Sequence, residues 1–266
     1  MLYNAKEKIL KLDKMTCRYI TFGKGDKPLV MIQGLNTNGI KGSSIPLALM
    51  YRLFSNEYKV YLFDRNEYFD EHTTIEMMAY DVIKAMDYLN ISNAYILGVS
   101  QGGLIAQNIA ILRPDLVKSL VLALTFSKNN SIVQDCITNW IELTQNKDYK
   151  ALVKDMAIKM YSKQYLKQYL PFLPLLTLIQ KPKDPLRFIA QCKSCLTNDT
   201  YDKLQYITCP TLVIGAKEDL IVGVQGSIEI QEKLNCQMYL YEHLGHAAYE
   251  EAKDFNRIVY NFFQES

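Results

Sequence analysis

The sequence is poor in histidine, with only His72, His243 and His246 among its 266 residues, and it has one tryptophan. It contains no apolar run near the roughly 18 to 20 residues that a membrane helix needs. Neither sign of charge prevails: Lys+Arg is 30 and Asp+Glu is 28, a net charge of +2. That balance gives no case for a nucleic-acid binder or a polybasic membrane protein. With 12 glycines and 8 prolines the chain is neither collagen-like nor low-complexity, and an apolar fraction of 49% excludes disorder. The charged start, Met1-Leu-Tyr-Asn-Ala-Lys-Glu-Lys, lacks the apolar segment of a signal peptide, so a cytoplasmic location is expected. Six cysteines are scattered and are expected to stay thiols in a reducing compartment. Cys192-Lys-Ser-Cys195 has neither the second pair nor the nearby histidines that a zinc site needs, so no metal is expected.

The length predicts one large domain, or one domain with a sizeable insertion. Charge and texture favour the second. Residues 1–127 carry 14 basic and 12 acidic groups, 128–200 carry 11 and 6, and 201–266 carry 5 and 10. The middle segment has no glycine, since none falls between Gly103 and Gly215. It reads as a helical unit over 128–205, inserted between core segments 1–127 and 206–266.

Short apolar runs at 28–33 and 58–63 predict buried strands, and those at 94–99, 119–124, 210–215 and 237–241 predict further strands. Helices are expected at 43–55, 74–90 (capped by Thr73 or Thr74), 101–112 and 252–264. Helical segments broken by prolines fill 131–200. Strands alternating with amphipathic helices predict an α/β fold: a mostly parallel, doubly wound sheet flanked by helices. In such sheets ligands bind beyond the carboxyl ends of the strands. Chemistry is therefore sought at Gly34, Ser100, Phe126, Gly215 and the residues after them.

Gly98-Val-Ser100-Gln-Gly102 fits G-x-S-x-G between a strand and a helix. Small neighbours let the chain turn sharply and leave the serine hydroxyl exposed, while backbone N–H groups at the helix start can hold an oxyanion. A serine hydroxyl needs a base. His72 lies before the helix at 74–90, away from the strand ends that matter. His243 and His246 both follow the strand at 237–241. An acid that orients the base belongs after a strand between serine and histidine, where Glu218 and Asp219 compete.

The chain resembles the α/β-hydrolase fold superfamily in its form with a helical cap. The resemblance rests on Pro28-Leu-Val-Met-Ile-Gln-Gly34, Tyr61-Leu-Phe-Asp64-Arg65, Ile96-Leu-Gly-Val-Ser100-Gln-Gly-Gly103, Arg113-Pro-Asp115, Leu212-Val-Ile-Gly-Ala-Lys-Glu-Asp219 and Leu244-Gly-His246. It implies Ser100 as nucleophile, His246 as base and Asp219 as the acid, in the chain order of the fold. It also implies an oxyanion hole from the N–H groups of Leu35 and Gln101. Two departures stand out. Gln33-Gly34 replaces the common His-Gly, and Asn66-Glu67 replaces glycines, a change expected to reshape a surface loop.

The expected activity is a serine hydrolase, carboxylesterase-like, cleaving a small and mostly apolar ester through an acyl-enzyme on Ser100, with no cofactor. Other chemistries of the fold stay open: C–C hydrolase, lactonase, thioesterase, acyltransferase, or ligand binding without turnover. Gly34, Phe126, Trp140, Met160 and Phe172 are expected to contact the ester or acyl substrate. The apolar stretch 169–179 is too short and too proline-broken to span a membrane but could touch lipid. A homodimer stays open.

Overall fold

The computed structural model describes residues 2–266; Met1, the first residue of the charged start, lies outside them. Eight strands form one sheet in the order β1-β2-β4-β3-β5-β6-β7-β8. They are β1 (Lys6–Leu12), β2 (Met15–Phe22), β3 (Lys27–Ile32), β4 (Tyr58–Asn66), β5 (Ala94–Val99), β6 (Val117–Ala123), β7 (Thr211–Ala216) and β8 (Gln237–Tyr241). β3 through β8 pair in parallel, and β1 and β2 add an antiparallel edge. All six expected strands are present. The edge hairpin was not expected. Its first strand is mostly exposed, with the pattern Lys-Glu-Lys-Ile-Leu-Lys-Leu, and carries little of the apolar signal of a buried strand.

The central strands are apolar throughout because both faces are covered. Every residue of β5 and β7 is buried. On one face, α2 (Ile75–Tyr88), α3 (Gln101–Leu112) and α9 (Val224–Leu234) contribute Val82, Ile105 and Ile230 to a core with Ile32, Ile96 and Leu122. On the other, α1 (Ser44–Met50) and α11 (Phe255–Glu265) contribute Ala48, Val259 and Phe263 to a core with Met31, Leu97 and Val121. The side chain of Thr74 caps α2 by accepting from the Met77 N–H. The helix expected at 43–55 stops at Met50 and continues as a 3-10 turn over Arg52–Ser55.

Five helices lie between β6 and β7: α4 (Ser131–Gln145), α5 (Tyr149–Met160), α6 (Lys163–Tyr169), α7 (Leu173–Gln180) and α8 (Pro185–Thr197). Side chains of Asn130, Asp148, Ser162 and Asp184 cap α4, α5, α6 and α8. The two ends of the segment meet where Lys128 bridges Asp199 and the Thr200 N–H donates to the Ser127 carbonyl. Among the described residues, no helix is long and apolar enough to cross a membrane. The short α10 (Ala248–Glu251) precedes α11.

Sheet order places the site. From β3 the chain crosses to β4 on one side and then to β5 on the other. The carboxyl ends of β3 and β5 therefore flank a switch point, where the loops leave in opposite directions and open a crevice. Gly34 and Ser100 occupy those two ends.

The second core rests on aromatic packing. Phe263 is fully buried and meets Tyr95 edge-on at 5.1 Å between ring centroids. Phe263→Ala is expected to lower stability by about 3 to 5 kcal/mol, read as a reduced urea midpoint with an unchanged slope.

Candidate active site

β5 delivers Ser100 into a turn with φ 54 and ψ −123, a left-handed conformation that is strained for a residue with a side chain. Close approaches impose it. A side chain on Gly98 would collide with Ala106 and the Gly102 carbonyl, and one on Gly102 with the Ile32 carbonyl. The turn is pinned from β6: the Ser100 N–H donates to the Ala123 carbonyl at 2.9 Å, and Thr125 Oγ1 donates to the Ser100 carbonyl at 2.8 Å. Gln101 opens α3, so its N–H has no partner one helical turn back.

His246 lies in the loop after β8 and is buried. Its Nε2 is 2.9 Å from Ser100 Oγ and its Nδ1 is 2.8 Å from Asp219 Oδ2. The other Asp219 oxygen accepts from the N–H groups of Ile221 and Val222 at 2.9 and 3.0 Å. With the carboxylate facing Nδ1, the imidazole carries its proton there and turns a lone pair toward the serine hydroxyl. The structure thus brings Ser100, Asp219 and His246 together. Glu218, His243 and His72 are exposed and stand apart.

Behind the turn sits a group that the sequence reading passed over. Arg65, at the end of β4, is buried. Its Nη2 donates to the Gln33 carbonyl at 2.6 Å, to the Gly34 carbonyl at 3.4 Å and to Gln101 Oε1 at 3.0 Å. Burial pulls its pKa down to about 10, which leaves it protonated at neutral pH. Gln101 Nε2 then donates to the Gln191 carbonyl of α8 at 3.0 Å. One cation therefore ties the loop after β3, the serine turn and the inserted helices together. The available signal was a charged pair, Asp64-Arg65, directly following the apolar run 58–63. Asn66 corrects an expectation. It is buried, not in a surface loop, and it joins β4 to its neighbours by accepting from the Thr16 N–H and donating to Asp81.

A cavity of about 240 Å³ opens beside the serine. Gly34, Leu35 and Val99 line it together with Met31, Leu97, Met50, Tyr51 and Glu250. Of the five residues expected to contact substrate, only Gly34 lines it. Phe126 is buried and packs in the core. Trp140 is also buried, its indole N–H donating to Asp155 Oδ2 at 2.7 Å. Both belong to the same buried core cluster. Met160 is half-buried and touches the histidine loop through its carbonyl, which accepts from the Ala247 N–H at 2.8 Å. Phe172 is exposed. All six cysteines are free thiols.

Comparison with known proteins agrees with this architecture. A family model described as alpha/beta hydrolase fold matches residues 27–253. A protein of Stutzerimonas stutzeri named "Putative carbamate hydrolase RutD" is 27% identical over 197 residues, covering 72% of this chain and 74% of that one. The 3-oxoadipate enol-lactonase 2 of Acinetobacter baylyi is 22% identical over 249 residues, covering 91% and 86%. Among solved structures, MGS-M2, an alpha/beta hydrolase enzyme from a Medee basin deep-sea metagenome library, superposes with a TM-score of 0.87 at 23% identity, covering 97% of this chain and 98% of that one. With its eight-stranded sheet, the serine turn after β5 and a family match over most of its length, this chain belongs to the α/β-hydrolase fold family.

Proposed function

We propose that the protein is a serine hydrolase that cleaves a small, mostly apolar ester, with residues 128–205 forming a cap over the site. The observation that carries this reading is the continuous relay from Ser100 Oγ through the His246 ring to Asp219, with contacts of 2.9 and 2.8 Å. His246 takes the Ser100 proton as Oγ adds to the substrate carbonyl carbon. The N–H groups of Leu35 and Gln101 hold the resulting oxyanion. Protonated His246 gives its proton to the departing alcohol, and the acyl group stays on Ser100. Water, deprotonated by His246, then adds to the acyl-enzyme and releases the acid. Asp219 keeps the imidazole in the required tautomer and stabilises the imidazolium.

The cavity supports this substrate class, since its apolar lining residues Met31, Leu97 and Met50 suit a short acyl chain or a small ring. Relatives named for carbamate and enol-lactone hydrolysis support carbonyl addition as the common step, with a carbamate or a lactone as the nearest alternatives to an open ester.

A fluorophosphonate probe is expected to label the folded protein, and Ser100→Ala to abolish both labelling and hydrolysis of short esters. Absence of labelling in the wild type would instead favour a ligand-binding member of the fold. Asp219→Asn should lower kcat by about 10⁴ by leaving the imidazole in the wrong tautomer.

Arg65 is assigned here as a positioning residue. Arg65→Met should lower kcat by up to about a hundredfold while KM changes little, because the loops bearing both oxyanion donors lose their common anchor. Arg65→Lys should recover part of kcat. Equal losses in kcat and thermal stability for both variants would reduce Arg65 to a structural role.

A further inference from the structure

We propose that residues 156–183 dock the protein on an anionic lipid surface. The near-neutral charge of the whole chain conceals a local excess. This stretch holds Lys159, Lys163, Lys167, Lys181 and Lys183 and not one Asp or Glu. Lys159 pairs with Asp155 just upstream, and the other four ammonium groups are exposed. Between them runs an apolar ridge of Leu170, Phe172, Leu175, Leu178 and Ile179, exposed by 42% to 68% of their surface. Leu175, Leu178 and Ile179 fall at positions i, i+3 and i+4 of α7 and so share one helix face.

The neighbouring helices behave differently. α4 and α8 bury Val133, Ile137, Phe188 and Cys192 in the core, whereas α7 buries none of its side chains fully. The ridge of Leu175, Leu178 and Ile179 thus stays outside the core. A bilayer interface matches both halves of the feature, since acyl chains receive the leucines and anionic headgroups receive the lysines. A two-fold dimer through this face would set lysine against lysine. Nucleic acid would satisfy the lysines but give the ridge no apolar phase. Pro171 and Pro174 interrupt the stretch, so it lies in the interface and does not span.

The ridge is fixed to both loops that flank Ser100. The carbonyl of Ile179 accepts from Asn38 Nδ2 at 2.9 Å, in the loop after β3, and that of Met160 accepts from Ala247 next to His246. Docking would therefore bring the mouth of the crevice to the lipid surface. The inference does not depend on the hydrolase reading.

The test is sedimentation of the full chain with vesicles of phosphatidylcholine alone and of phosphatidylcholine mixed with phosphatidylglycerol. Retention is expected on the mixed vesicles only, and it should weaken as salt is added. The double variants Leu175→Glu/Leu178→Glu and Lys163→Glu/Lys167→Glu should each reduce partitioning by at least about tenfold. Both variants should keep the wild-type circular dichroism and thermal unfolding midpoint. No retention on mixed vesicles, equal retention on both compositions, or retention that survives either variant would overturn the proposal. Concentration-dependent dimerisation abolished by the leucine variant, without vesicle binding, would assign the ridge to a second copy of the chain.

Discussion

The site depends on one close approach: α3 leaves β5 so sharply that Gly102 rests against the Ile32 carbonyl of β3. No side chain fits between them, and the chain reverses within one residue. Ser100 takes up the turn at φ 54, a conformation that costs on the order of 1–3 kcal/mol for a residue with a side chain. That cost is borne by surroundings that allow no relaxation. β5 is buried along its whole length, and the Ser100 backbone is held at both its N–H and its carbonyl by the end of β6. The consequence is directional. The hydroxyl stands clear of the sheet at the switch point, where the loop after β8 can set His246 against it.

A second constraint is electrostatic. Arg65 is a buried cation whose hydrogen bonds go to neutral acceptors, the carbonyls of Gln33 and Gly34 and the Gln101 side chain. Hydrogen bonds from an ionised donor are worth more than those between neutral groups, and a buried donor left without acceptors is costly. The two loops that supply the proposed oxyanion donors are therefore held to one group of fixed planar geometry. The same Gln101 reaches the Gln191 carbonyl on α8, so the inserted helices are joined to the site through this charge and not only through packing.

What the sequence revealed follows from the range over which each cause acts. The parallel strands were legible because burial on both faces makes them continuous apolar runs, as in Ala94–Val99 and Thr211–Ala216. The serine turn was legible because its sterics, against its own helix at Gly98 and against β3 at Gly102, call for glycine at fixed offsets. The meeting of Ser100, Asp219 and His246 needed the chain order of a recognised fold, because residues 146 positions apart converge only through sheet topology. The edge hairpin was missed because β1 is mostly solvated and shows no strong period. Arg65 was missed as an anchor because nothing local distinguishes a buried arginine from a surface one.

The inserted helices mark the far limit of this legibility. Their ends are announced by capping residues, Asn130, Asp148, Ser162 and Asp184, whose action is local. Which helix face meets the core is decided by three-dimensional packing, so Trp140, read as a pocket wall, is instead a packed side chain bonded to Asp155. The division has a functional corollary. The proposed reacting groups and oxyanion donors all sit on loops of the sheet domain, and the insertion meets those loops both through main-chain carbonyls, those of Met160, Ile179 and Gln191, and through side chains, with Gln191 Nε2 donating to the Asn36 carbonyl and Asn130 Nδ2 to the Val222 carbonyl. Contacts made by backbone carbonyls tolerate exchange of the side chains that project beyond them. Positions of the insertion outside these polar contacts are therefore free to change, while the turn at Ser100 stays held by β5 and the end of β6.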